Sequence, residues 1–358
     1  TGVQTCALPI FKKIGSFSII LLGTVVLSSC EFAGSADRGV YKSMDGGEVF
    51  TQKVKINNKE NFGGADALTL AVDKSAPNTL YVGTKNNGIL RSTDGGENWT
   101  KDVNNFTNVS SIVINSQDSK EIYITATKNG VSKIFKTENG GDKWFEPFTQ
   151  STGRVQNWTV TLSPNNPAVV YAGDSNGGVY KSEDAGKSWR TLHWARNGIR
   201  KISVDPKNDN RIYFQIDRGQ ALKTEDGGKT FLEMATGHKV LNVQAHPRIE
   251  GSVYLIDENG LQKSNDAGAT FTAIKTLVQP DKVAAIDLSI DPSNDQVMYF
   301  TTGNAFHKTV NGGATWRPID LKFNQLITDI EINPSNSSII YLAVSQVNDR
   351  KNPFLPSL

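Results

Sequence analysis

Cysteine is nearly absent from this chain of 358 residues: there are two, Cys6 and Cys30, both within the first thirty positions. Their absence from the rest excludes a disulfide framework, a cysteine-ligated zinc site and a cysteine nucleophile in the folded body. An excess of either charge is lacking too. Lys plus Arg is 38 against 36 for Asp plus Glu, a net charge of +2. That balance argues against nucleic acid as the main partner and leaves no polybasic membrane patch. The four histidines (193, 238, 246 and 307) show no ligand spacing, and no glycine-rich loop follows a strand to open a helix. No metal or other cofactor is therefore expected. What is present in quantity is glycine, 32 residues, with 37% hydrophobic and 21% charged residues. Such a chain can bury a core, and its length suits two or three ordinary domains or one large β domain.

The first thirty residues read as an address. Thr1 to Ile10 reads as sequence foreign to the protein. Lys12 and Lys13 then precede the apolar run Phe17 to Leu27, a charged start and short apolar stretch like those of a secretory signal. That run is too short to cross a hydrocarbon core of about 30 Å as a helix. Leu27-Ser28-Ser29-Cys30 resembles a bacterial lipobox. The resemblance implies that Cys30 becomes the lipid-bearing first residue, tethering an exported domain at the cell envelope (periplasm, outer membrane or cell surface). Residues 31–37 read as a linker.

The body, 38–346, is built from repeats. An octet recurs seven times, beginning with Ser43-Met-Asp45-Gly-Gly47-Glu-Val-Phe50 and Ser92-Thr-Asp94-Gly-Gly96-Glu-Asn-Trp99. Its third position is Asp45, Asp94, Asn139, Asp184, Asp226, Asp266 and Asn311, its fifth is always glycine, and its last is Trp or Phe. The mean spacing is about 44 residues, near the period of a four-stranded propeller blade. Ser/Thr and Asp/Asn side chains can bond local N–H groups and pin a turn, while the terminal aromatic anchors it. A second marker keeps the same period: an apolar residue followed by Tyr81, Tyr123, Tyr171, Tyr213, Tyr254, Tyr299 and Tyr341. Each unit therefore reads as strand A, a Pro/Asn turn, strand B with its Tyr, a loop, strand C, the octet and strand D. Only strand C precedes the first octet, and after the seventh unit come strands A and B with no further octet. Pairing the two ends in one blade gives an all-β, seven-bladed propeller with a closed ring and no free sheet edge. The alternative is an open or longer array. Residues 347–358 match no strand and are expected to form a tail.

The octet resembles the Asp-box (BNR) repeat, found in sialidases, xyloglucanases, sortilin-type receptors and photosystem II assembly factors. In those families the boxes are structural. The lipobox with seven repeats looks most like bacterial relatives of the photosystem II assembly factor, which implies a binding propeller; photosystem function itself is not carried over. Fold alone does not assign function, so binding and catalysis are both weighed.

A sialidase site needs a nucleophilic Tyr, but all nine tyrosines stand in repeat register. A glycoside hydrolase needs two carboxyl groups about 5–9.5 Å apart. Asp174, Asp217 and Asp257 follow strand B on three neighbouring blades and are the candidate acids, with ordinary turn chemistry as the competing reading. For binding, Trp158 and Trp194 are the tryptophans outside the octets. Arg154, Arg196 and Arg200 lie in the same D–A loops, and Trp and Arg are common interface anchors. A monomer whose loops meet a protein or glycan is the leading expectation, with a hydrolase as the alternative. A base precedes every octet: Lys42, Arg91, Lys136, Lys181, Lys223, Lys263 and Lys308. Its aliphatic stem can cover a neighbouring ring, which is preferred over an anion-binding ring.

Overall fold

The computed structural model describes residues 37–148, 155, 158–219, 221–234, 236–277 and 287–346. Cys30, Arg154 and the tail 347–358 lie outside the described residues. The strands form seven antiparallel sheets arranged as a β-propeller, with no helix among the described residues. Six sheets have four strands. In the third, the fourth strand is reduced to a bridge between Lys136 and Phe145.

The ring closes as the repeat arithmetic requires. The first described strand, Gly39–Ser43, pairs with the last described one, Ile340–Ser345, in register Gly39↔Val344 to Ser43↔Ile340. This closure blade, numbered blade 1 here, has Leu326–Ile332 as its inner strand and Thr51–Gln52 as its outer one. Asp66 ties the ends further, accepting from Arg38 Nη1 at 2.7 Å and from the Gln346 N–H at 2.9 Å.

Each octet folds by its own side chains. In the first, the Ser43 hydroxyl donates to Asp45 Oδ1 at 2.6 Å and accepts from the Gly47 N–H at 2.9 Å. Asp45 Oδ1 also accepts from the Glu48 and Val49 N–H groups at 3.0 Å. Such donors hold the carboxylates down. Asp184 falls to about 2, first through the Ser188 hydroxyl and then its N–H. The chain enters the left-handed region at octet positions four and five, as at Gly46 (φ 72°) and Gly47 (φ 86°). A Cβ on Gly47 would lie 3.2 Å from both Phe306 and Tyr299. The aromatic end is buried in Trp99 and Trp316.

Blades are joined by a recurring contact at the carbonyl of octet position four. Tyr341 Oη donates to Gly95 O at 3.2 Å and Lys42 Nζ to the same oxygen at 2.8 Å, from blade 1 to blade 2. Tyr81 donates to Gly140 O, Tyr123 and Lys136 to Ala185 O, Lys223 to Ala267 O, and Tyr299 to Gly46 O. Six of the seven bases also lie over the Tyr ring of their own blade, at 5.4–6.0 Å or 5.3 Å for Lys136. The buried Lys136 amine is penalised by desolvation, but Glu121 and Glu138, at 2.7 and 2.9 Å, more than offset this and raise its pKa. Lys42, Lys136, Lys223 and Lys308 therefore serve as clamps between blades.

Two octets place alanine at the left-handed fourth position, Ala185 (φ 57°) and Ala267 (φ 58°). Left-handed backbone costs a residue with a Cβ roughly 1–2 kcal/mol, partly offset because glycine is freer in the unfolded chain. Ala185→Gly should therefore raise stability by up to about 1 kcal/mol. Gly228→Ala should lower it by about 2 kcal/mol, because φ is 92° there and the new Cβ would fall 2.5 Å from Leu192 Cδ1. Denaturant unfolding of both variants checks the pair.

Candidate functional site

The inner strands of consecutive blades pack side by side, and their side chains alternate. Leu70, Val160, Ile202, Val243, Leu288 and Ile330 are buried between blades. The positions between them face the channel. Two rings follow from strand register. Opposite the seven tyrosines lie Ala71, Val113, Thr161, Ser203, Gln244, Ser289 and Glu331. Two residues earlier along each strand lie Thr69, Ser111, Thr159, Lys201, Asn242, Asp287 and Asp329. Every member of this second ring is polar.

The second ring is bonded from blade to blade. Lys201 Nζ donates to Asn242 Oδ1 at 3.0 Å and stands 3.6 Å from Asp287 Oδ1. Asn242 Nδ2 donates to Asp287 Oδ1 at 3.1 Å, and Asp287 Oδ2 accepts from the Ile330 N–H at 3.3 Å. On the other side of the closure blade, Asp329 Oδ2 accepts from the Leu70 N–H at 2.8 Å and from the Thr69 hydroxyl at 3.0 Å. Burial, followed by the Asp287 charge, pushes Asp329 up to about 7. Burial and then the Asp329 charge raise Glu331 well above the ordinary carboxylate range. These acids are additional to the sequence candidates. The alternating run containing Asp287, Leu288 and Ser289 was legible as a strand, but its polar face was not read as a channel wall.

The predicted acids occupy the turns after strand B, and two are consumed there. Asp174 is fully buried. Its Oδ1 accepts from the Asn176 and Gly178 N–H groups at 2.8 and 3.0 Å, and its Oδ2 from the Tyr180 hydroxyl at 2.8 Å. Asp257, also buried, accepts from the Asn259 N–H at 2.7 Å and Gln262 Nε2 at 2.6 Å. Asp217 is the more open one, with Arg200 Nη2 at 3.1 Å.

The predicted contact residues divide. Trp158 is 6% exposed and belongs to the core of blade 4, a correction to its placement on a surface. It packs against Phe148 and Tyr180 and donates Nε1–H to Ser132 O at 3.1 Å. Strand alternation turns it inward at the start of the inner strand Trp158–Leu162. Trp194 is 54% exposed at the end of strand Arg190–Trp194, with one edge against Tyr180. Arg196 is exposed in the following loop, and Arg200 is partly buried beside Asp217. Trp194, Arg196, Arg200 and Asp217 thus gather on one face of blades 4 and 5. Among the described residues, no three His, Cys, Asp or Glu side chains are placed to hold a metal ion.

No protein-family model matches the chain. Among curated proteins it is similar to a xyloglucanase of Paenibacillus sp (24% identity over 239 residues, 62% of this chain and 23% of that protein). It is also similar to a xyloglucanase of Hypocrea jecorina (27% over 206 residues, 56% and 24%). The chain thus matches about a quarter of the length of these curated relatives. Among solved structures, YCF48 bound to a D1 peptide superposes with a TM-score of 0.59 at 16% identity, covering 79% of this chain and 94% of that one. The GH74 xyloglucanase of Xanthomonas campestris gives 0.66 at 16% identity, covering 85% and 55%. This likeness establishes the fold, a seven-bladed propeller resembling both proteins.

Asp174 has the bonding of a turn pin. Asp174→Ala removes the acceptor of the buried Gly178 N–H and of the Asn176 N–H and Tyr180 hydroxyl, so it should cost about 3 kcal/mol. Thermal unfolding measures this cost without reference to any activity.

Proposed function

We propose that this protein is a non-catalytic binding propeller of the Asp-box type, exported and lipid-tethered through Cys30. It presents the Trp194–Arg196 face of blades 4 and 5 to a polypeptide or glycan partner. The observation carrying this reading is the state of the loop acids. Asp174 and Asp257 are buried and saturated by their own turns, while Asp217 is paired with Arg200. That leaves the face without a free carboxyl pair, but with an exposed indole and an exposed guanidinium. Those groups supply apolar area and donors to an extended chain. YCF48, whose propeller this one resembles, has been solved with a D1 peptide, so a polypeptide is the first partner to test.

A glycoside hydrolase is the second reading. It is favoured by the xyloglucanase relatives and by the raised pKa of the channel carboxyls Asp329 and Glu331, since perturbed acids in a channel are a mark of catalytic sites.

The two readings separate by experiment. Purified protein is screened against a library of extended peptides, in parallel with xyloglucan oligosaccharides and aryl glycosides. The binding reading expects peptide ligands whose affinity falls at least tenfold in Trp194→Ala/Arg196→Ala, with no sugar turnover. Unchanged affinity in that double variant contradicts the assigned face. Turnover abolished by Asp287→Asn or Asp329→Asn would establish the hydrolase instead.

A further inference from the structure

Carboxyl groups are unevenly distributed around the channel. Asp287, Asp329 and Glu331 lie on two adjacent inner strands, in blade 7 and in the closure blade, where Gly39–Ser43 pairs with Ile340–Ser345. The opposite wall carries Ser111, Thr159 and Thr161. Asp329 crosses from the closure blade to blade 2 at the channel wall, accepting from both the hydroxyl of Thr69 and the N–H of Leu70, apart from the Tyr341 and Lys42 contacts at Gly95 O. Thr328 crosses beside it, donating to Ala67 O at 2.8 Å.

We propose that this seam is a proton-sensitive lock. With Asp329 protonated, the inner strands of the closure blade and blade 2 hold together; loss of protons from Asp329 and Glu331 beside the Asp287 carboxylate loosens them.

The charged surroundings are sparse. On its own strand Asp329 meets Glu331, from blade 7 it meets Asp287, and from across the channel Lys201, which is already engaged by Asn242 and Asp287. Blade 2 contributes the neutral Thr69 hydroxyl and Leu70 amide, while Lys74, beyond the end of that strand, acts on Glu331. The neighbouring strand places the uncharged Ala343 opposite Asp329. Among the described residues, three carboxyl groups therefore share two ammonium groups, in a setting where a charge is poorly solvated.

The sign follows from linkage. In the closed seam Asp329 titrates at about 7; once opened to water it returns to the ordinary value of about 3.9. Between these values opening releases a proton, so the opening constant rises about tenfold per pH unit and levels off above 7. The seam is tightest below pH 4 and loses this advantage as pH rises towards 7. Glu331, also raised, adds to the slope.

Hydrogen exchange of the Leu70 and Ile330 amides in the whole protein, corrected for intrinsic rates from pH 5 to 7, tests the lock. Protection at these amides should fall at least tenfold per pH unit. In Asp329→Asn that dependence should be shallower by about tenfold per unit, while amides of Val170–Asp174 in blade 4 should not show it in either protein. Equal slopes in wild type and variant, or the same slope in blade 4, would overturn the proposal. Should Asp329→Asn not fold, Glu331→Gln is read in the same way: a shallower slope supports the lock and an unchanged one overturns it.

Discussion

The structure depends on one repeated contact, the octet position-four carbonyl taken by donors of the preceding blade. A propeller blade is a small sheet that cannot bury both faces by itself, so its stability rests on the next blade. The carbonyl is available because the chain turns left-handed there, which explains why glycine, or a strained alanine, fills the position. The donors are available because every blade places a Tyr on its second strand and a base on its third. A buried carbonyl left unpaired costs about 1–3 kcal/mol, so the contact favours the correct neighbour at the five interfaces where it forms. The closure blade obeys the same rule: Tyr299 reaches Gly46 on one side, while Tyr341 and Lys42 reach Gly95 on the other.

Much of this was legible in the sequence, because period and pattern encode local turns. The octet spacing, the Tyr marker and the incomplete first and last units together specified seven blades and their closure, and the octet hydrogen bonds follow from the residue types at positions one, three and five. The partners of the Tyr hydroxyls and lysine amines were not legible, since they lie one blade away, about 44 residues along the chain, and no local pattern names them.

The candidate site was read unevenly for the same reason. Trp194 ends a strand and Arg196 follows it in a loop, and both are exposed, as residues at such positions usually are. Trp158 stands equally outside the octets, but it opens an inner strand, and alternation turns its ring into the core. Asp174 and Asp257 precede Ser175 and Glu258 in tight turns, and the turn uses their oxygens. The channel acids Asp287, Asp329 and Glu331 occupy the polar half of an alternating strand. They look like solvent-facing residues until seven inner strands are placed around an axis, and only then do three carboxyl groups fall together. The lesson is geometric: chemistry carried within one turn can be read locally, whereas chemistry assembled from several blades needs the ring.

Whether the position-four carbonyl joins the blades is decided by a double-mutant cycle at one interface. Tyr341→Phe and Lys42→Met each remove one donor to Gly95 O while leaving the other. Stability is measured by denaturant unfolding for the two single variants and the double variant. The double variant should lose more than the sum of the singles, by about 1–2 kcal/mol, because only then is the buried carbonyl left unpaired. Additivity within about 0.3 kcal/mol would contradict this, and would mean that the aromatic and aliphatic packing of these side chains, rather than the shared carbonyl, holds neighbouring blades together.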